Sequence, residues 1–234
     1  MSKHAARAVA VAVFIAVLAF AVPPHAQTAA PAGRFDYTVR ADFFAGFRGD
    51  VARFARAMKL CEEALAVNPD HTDALVWHGA GLMFLAGEAA SRQEFETARE
   101  RSRRGREEMD RAATLAPDSL SVILVRAVVL NASAPRVSDR AQGAAMQRAA
   151  VDAFEKALAM QTPYLEQLSE HARGELLGGL AEGWSRLGEA DKSRGYLRRI
   201  ANELPESRYA ARATAWLEEG PQAGPMTCLT CHRQ

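Results

Sequence analysis

Residues 50–87 read DVARFARAMKLCEEALAVNPDHTDALVWHGAGLMFLAG, and their spacing decides the fold class. Val51, Phe54, Met58, Cys61 and Leu65 follow one another at steps of three and four, which puts one apolar stripe along a helix. Asp50 can cap that helix, and Asn68 and Pro69 stop it. A second helix follows over Thr72 to Ala86, carrying Leu75, Trp77, Leu82, Met83, Phe84 and Leu85, with Gly87 as its expected C-terminal cap. Gly79 and Gly81 lie inside it, where glycine weakens a helix, so they predict a close approach to another helix. Cys61 falls in the apolar stripe and reads as a small buried residue. His78 reads as a hydrogen-bonded core histidine rather than a metal ligand.

The same grammar continues outward. Ser91 and Glu94 have the spacing of a capping box opening a helix to Leu115, whose inward face would be Phe95, Ala98, Ser102, Gly105, Met109 and Ala112. On its other faces Arg101, Arg103, Arg104 and Arg106 alternate with Glu94, Glu96, Glu100, Glu107, Glu108 and Asp110. Mixed charge of this kind marks a solvated helix laced with i,i+4 pairs, not a nucleic-acid surface. Val122 to Leu130 is nearly all apolar and predicts a central helix, followed by a loop from Asn131 to Val137. Further helices are expected from Ser138 to Met160, from Ser169 to a stop at Gly188, over Glu189–Leu204 and over Ser207–Glu218, with no strand anywhere. Gly220, Pro221, Gly224 and Pro225 read as a linker. Before residue 50, Phe35, Tyr37, Phe43, Phe44 and Phe47 predict an aromatic cap docked on the first helices, with a short helix near Ala41–Phe47.

A phrase recurs between helices: Asn-Pro-Asp at 68–70, Ala-Pro-Asp at 116–118, Thr-Pro at 162–163 and Leu-Pro-Glu at 204–206. With Ala57, Cys61, Ala64 and Pro69, then Leu75, Gly79 and Leu82, this resembles the tetratricopeptide repeat (TPR) family over residues 50–218. The prolines recur at intervals longer than that family's roughly 34 residues, so the helices are longer or the turns carry insertions. The resemblance implies an all-α, TPR-like solenoid of antiparallel helix pairs acting as a protein-binding scaffold.

The last stretch carries chemistry that packing does not explain. Met226, Thr227, Cys228, Leu229, Thr230, Cys231, His232 contains C-x-x-C-H, the spacing of covalent haem attachment. Cys228 and Cys231 would supply two thioethers, and His232 the proximal iron ligand, as in the c-type cytochromes the motif resembles. That predicts one covalent haem c per chain on a short unstructured tail. The sixth iron position could fall to Met226, His78, His171, Met58, Met83 or Met160, or stay vacant. Zinc lacks a local fourth ligand, and a redox Cys-x-x-Cys would want a strand-to-helix context that does not precede Cys228. A disulfide between the two cysteines is the competing reading.

At the other end, Lys3 and Arg7, the apolar run Ala8–Val22, Pro23, Pro24 and Ala26 read as a cleaved secretory signal, the run being shorter than the ~20 residues of a membrane span. The net charge is +1, or −1 without Lys3 and Arg7, which gives no bulk attraction to nucleic acid or anionic lipid. The expected organisation is a signal at 1–26, the aromatic cap at 27–49, the helical repeat domain at 50–219 and the haem-attachment tail at 220–234. Such a protein would be periplasmic or secreted, with no membrane span after cleavage. No catalytic constellation and no substrate emerge; the expected partner is a protein, or a neighbouring protomer, against which the haem docks. Electron transfer or electron-transfer adaptor is the expected function, a non-haem scaffold the alternative, and a haem-based sensor a third possibility.

Overall fold

The computed structural model describes residues 34–227. Among the described residues the fold is all-helical, without a strand. Nine α-helices follow in order: α1 Phe35–Phe47, α2 Val51–Val67, α3 Thr72–Ser91, α4 Phe95–Leu115, α5 Leu120–Ser133, α6 Arg140–Gln161, α7 Glu170–Arg186, α8 Ala190–Glu203 and α9 Arg208–Glu219. Short 3₁₀ turns occupy Ala134–Arg136, Thr162–Gln167 and Pro221–Ala223. No helix among the described residues is long and apolar enough to cross a membrane.

The starts of these helices follow side-chain chemistry. Asp50 accepts from Arg53 N at 3.0 Å, Ser169 from Ala172 N at 3.2 Å and Ser207 from Ala210 N at 3.0 Å, each satisfying a first-turn amide that has no helical acceptor. The cap of α6 is Asp139, one residue beyond the expected Ser138, because a carboxylate oxygen there accepts from both Ala141 N and Gln142 N. The expected capping box at Ser91 does not form. Helix α3 runs through Gly87 to Ser91, whose hydroxyl donates back to Glu88 O at 2.7 Å. Glu94 is held by Arg92 instead, and the turn is made by Gln93 at φ 62°.

The helices pack as pairs, α1 with α2, α3 with α4, α5 with α6 and α7 with α8, with α9 against α8. The first helix of each pair also touches the first helix of the next. Pro69, Pro117, Pro163 and Pro205 therefore stand between pairs, and the stretch quoted at the outset, α2 and α3, straddles two of them.

The aromatic segment is more helical than expected. Helix α1 reaches back to Phe35, and its Asp42, 4% exposed, is clamped onto α2 by Arg56 at 2.6 Å and Arg53 at 2.7 Å. Those guanidiniums, Arg56 foremost, hold the Asp42 carboxyl below its usual range. Phe43 is fully buried, stacked on Trp77 with centroids 5.3 Å apart and edge-on to Phe54. In α2, Phe54, Ala57 and Cys61 are buried, whereas Val51, at the start of the expected stripe, is exposed.

Gly79 and Gly105 explain the closeness of α3 and α4. A Cβ on Gly79 would lie 2.6 Å from Gly105 O, and one on Gly105 would lie 2.7 Å from Gly79 O, so each helix presses bare backbone on the other. Met109 and Ala112 bury the rest of that face, while Phe95, expected inward, is exposed. Arg103 pairs with Glu100 and Glu107, and Arg104 with Glu108, along the solvated side of α4. Helix α5 has no fully exposed residue, as its apolar run predicts.

Candidate functional site

Helix α7 carries Gly174, Gly178, Gly179 and Gly183, two rows of i,i+4 glycines on adjoining strips of its surface. One row receives α6: added Cβ atoms at Gly179 and Gly183 would strike the Phe154 ring at 2.5 Å and Val151 at 2.5 Å. The other row receives the end of the chain. A Cβ on Gly174 would enter the Tyr209 ring of α9, and one on Gly178 would come within 3.3 Å of Met226 O.

The segment after α9 is therefore no loose linker, and the expected unstructured tail is corrected over Gly220–Thr227. Gly220 at φ 86° and Gly224 at φ 107° turn the chain back, using backbone conformations that side chains rarely tolerate. The Trp216 indole N–H then donates to Gly224 O. Met226 is 0% exposed, packed in a cluster with Leu177, Leu197, Ile200, Tyr209 and Trp216. Local composition suggested a linker because two glycines and two prolines dominate it; the anchoring comes from residues far away in sequence.

Thr227 completes a buried polar network. Its hydroxyl donates to Glu182 Oε2 at 3.2 Å, and Glu182, 4% exposed, also accepts from Asn131 Nδ2 at 3.2 Å and Arg186 Nη2 at 2.7 Å. Gln147 Nε2 donates to Asn131 Oδ1 at 2.7 Å, and Arg186 Nη1 reaches Asn131 O at 2.7 Å. A carboxylate removed from water needs such donors. The network ties α5, α6 and α7 to the residue that immediately precedes Cys228. Sequence reading missed it and placed Asn131 in a loop, whereas it lies in the last turn of α5. The available signal was Glu182, four residues after Gly178 and so on the same face of α7.

Two turns earlier on that face, Tyr209 Oη donates to Glu175 Oε1 at 2.7 Å and meets His171 Nδ1 at 2.8 Å. Tyr209 is 1% exposed, Glu175 half-buried and His171 exposed.

Cys228, Cys231 and His232, the predicted haem ligands, lie outside the described residues, as does the expected signal at 1–26. The structure separates the other candidates. His78 is 2% exposed and bonded to Glu108 Oε2 at 2.6 Å, with Glu62 Oε1 3.7 Å from its other nitrogen, the hydrogen-bonded core histidine expected. Met83 is buried, Met58 packs against the Gly81 backbone, Met160 is half-buried beside the α6–α7 core, and the Met226 thioether fills the core beneath α9. Cys61 is fully buried, and desolvation first, then the negative charges of Glu108 and Glu62, push its thiol up to about 12. Phe43 and Phe47 pack against other rings, and Phe44, edge-on to Phe47 and Trp77, is the exposed one of the three.

Among the described residues no group of three or more histidine, cysteine or carboxylate side chains is gathered for a metal ion. Two open concavities have charged walls, one beside Leu65, Arg104, Glu108 and Arg111, the other beside Glu170, Arg173, Glu203 and Pro205. Neither is an apolar slot of the kind that encloses a porphyrin. The donor set of the C-x-x-C-H motif fits a covalently held haem, and what the fold contributes is a fixed point of departure at Thr227. No protein-family model, curated protein or solved structure matches the chain.

Proposed function

We propose that this is an exported, monohaem c-type-cytochrome-like protein, serving electron transfer or acting as an electron-transfer adaptor, built on a TPR-like scaffold of helix pairs. The observation that carries the reading is C-x-x-C-H at 228–232, starting at the residue after the buried Thr227. The Cys228 and Cys231 thiols would add across vinyl groups to form thioethers, a step that needs no oxidant, and the His232 imidazole would bind iron. Bound in this way, haem supplies one-electron chemistry.

The chain's own residues do the positioning. Met226 in the core and Thr227 on Glu182 fix the chain just before the attachment motif, so the residue preceding Cys228 is held against α7 and is not part of a free tether. Pairing of α1/α2, α3/α4, α5/α6 and α7/α8, with a proline between successive pairs, supports the TPR-like description and a docking role for the scaffold. A protein partner or a second copy would cover the remaining face of the porphyrin. The apolar run at 8–22 supports export to the periplasm or beyond.

The test is to produce the full chain with cytochrome c maturation machinery and measure intact mass and the reduced-minus-oxidised spectrum. The expected outcome is the mass of one added haem with a Soret band, and loss of stable attachment in Cys228→Ala. A chain lighter by only two hydrogens and without a Soret band would make it a disulfide-bearing interaction scaffold instead.

A further inference from the structure

We propose that the outer face of α9 is a self-association surface, on which a second copy of the chain lays its own α9 antiparallel, related by a two-fold axis at the level of Ala213. The inference is independent of the haem reading above.

Helix α9 is the odd member of the array. The earlier odd-numbered helices, α1, α3, α5 and α7, each pack with the helix that follows, whereas α9 rests on α8 and has no α-helix after it among the described residues. Its buried face is made of Tyr209, Ala210, Ala213 and Trp216. On the opposite face Arg208, Ala211, Ala215 and Glu218 follow at steps of three, four and three, in one strip along the helix. Arg208, Ala211 and Glu218 are exposed, and Ala215 is half-buried.

The charges on that strip are placed the wrong way round for a lone helix. A helix is partially positive at its N-terminus and negative at its C-terminus, so acids stabilise the first turn and bases the last. Helix α7 obeys this, with Glu170 in its first turn and Arg186 in its last. Helix α9 opens on Arg208 and closes on Glu218 and Glu219, with no acid in its first turn and no base in its last. Arg208 and Glu218 cannot relieve each other, being about 15 Å apart along the axis. Neither enters a salt bridge elsewhere among the described residues. The solvated side of α4 differs, because its charges pair within the helix, Arg103 with Glu107 and Arg104 with Glu108.

An antiparallel second copy removes the misfit. Arg208 and Glu218 lie equally far from Ala213, as do Ala211 and Ala215, so a single two-fold sets Arg208 of each copy against Glu218 of the other and Ala211 against Ala215. Each arginine then also meets the negative end of the facing helix, and each glutamate the positive end. The two alanines leave only methyl groups between the axes, which lets the helices approach to about 8 Å. A net charge of +1 sets little repulsion between copies. One twelve-residue helix per copy buries well under the roughly 800 Å² a side of a stable complex, so the pair forms reversibly, on the order of 100 µM.

The experiment follows the mass of the full chain by sedimentation, from well below to well above that concentration, in a reductant that keeps cysteines from linking copies. Wild type should dimerise reversibly, and less as salt is raised. Arg208→Glu and Glu218→Arg each bring like charges together at both ends of the pair, and each should weaken the dimer about tenfold. Both substitutions suit the dipole of α9, so neither should lower stability in urea, which separates lost association from lost fold. Mixing the two variants restores opposite charges at both ends and should give heterodimers of wild-type strength. The double variant Arg208→Glu, Glu218→Arg should likewise pair with itself. Wild type that stays monomeric throughout, single variants that dimerise as wild type does, or a mixture that associates no better than its components would each overturn the proposal.

Discussion

Gly79 of α3 and the glycines of α7 all lie at contact positions, and they are used to different ends. On α3, Gly79 meets the backbone of α4, and the meeting is reciprocal through Gly105. On α7, the glycines admit side chains from α6 and α9 and the backbone of the returning tail. The first arrangement joins two neighbours in sequence, with Met83, Met109 and Leu82 alongside and the His78–Glu108 hydrogen bond next to it. The second gathers segments from across the second half of the chain and includes a buried carboxylate at Glu182. A backbone-on-backbone contact can only be kept or lost. A surface that accepts side chains and a tail can be loosened by degrees.

The largest expected effect would break this contrast most directly. Met226→Ala should lower stability by about 2–5 kcal/mol in urea denaturation, the cost of emptying a fully buried methionine site, although the residue belongs to a stretch that looks like linker. An unchanged midpoint would return the tail to the status of a tether. Next comes a matched pair. Gly79→Ala drives a methyl toward a carbonyl oxygen that cannot rotate away and should cost about 1–3 kcal/mol. Gly178→Ala meets Met226 O at 3.3 Å, a contact the tail can relieve by shifting slightly. There the gain in helix propensity, up to about 1 kcal/mol, should leave stability nearly unchanged. Equal losses at both positions would mean that α7 is as unyielding as α3.

The smallest effect concerns Cys61 in the first half. Its thiol is raised from an ordinary value of 9.0 to about 12, so the unfolded chain ionises it at a lower pH than the folded one. Stability should therefore be unaffected by this group below pH 9 and fall as pH rises from 9 toward 12. At pH 8 the folded protein should resist iodoacetamide at the peptide bearing Cys61 and react once unfolded in urea. Labelling of the folded protein would show that the first half opens as readily as the second.

Where sequence and structure agree, the determinants are local. The stripe of α2, the caps at Asp50, Ser169 and Ser207, and the charge ladder of α4 each depend on residues within a turn or so of one another. Gly79 was legible as a close approach because glycine inside a helix has few other uses. Ser91 misled because its spacing to Glu94 is right for a box, yet Arg92 lies closer to that carboxylate. The network at Glu182 was illegible for a plainer reason: Asn131 is 51 positions away and Thr227 is 45, and no pattern within a helix links them. The C-x-x-C-H spacing stands out in the sequence by itself, whereas the anchorage of Thr227 just before it is visible only once α5, α6 and α7 have assembled.

The burial of Met226 also orders events in time. A polypeptide is made from its N-terminus, so α7, α8 and α9 are complete before Met226 arrives, and until then they surround a space that nothing occupies. Closing that space draws Thr227 onto Glu182. Fixing of the second half therefore waits on residues near the end of the chain, and the rate at which Met226 docks would set when α7, α8 and α9 become immobile against one another.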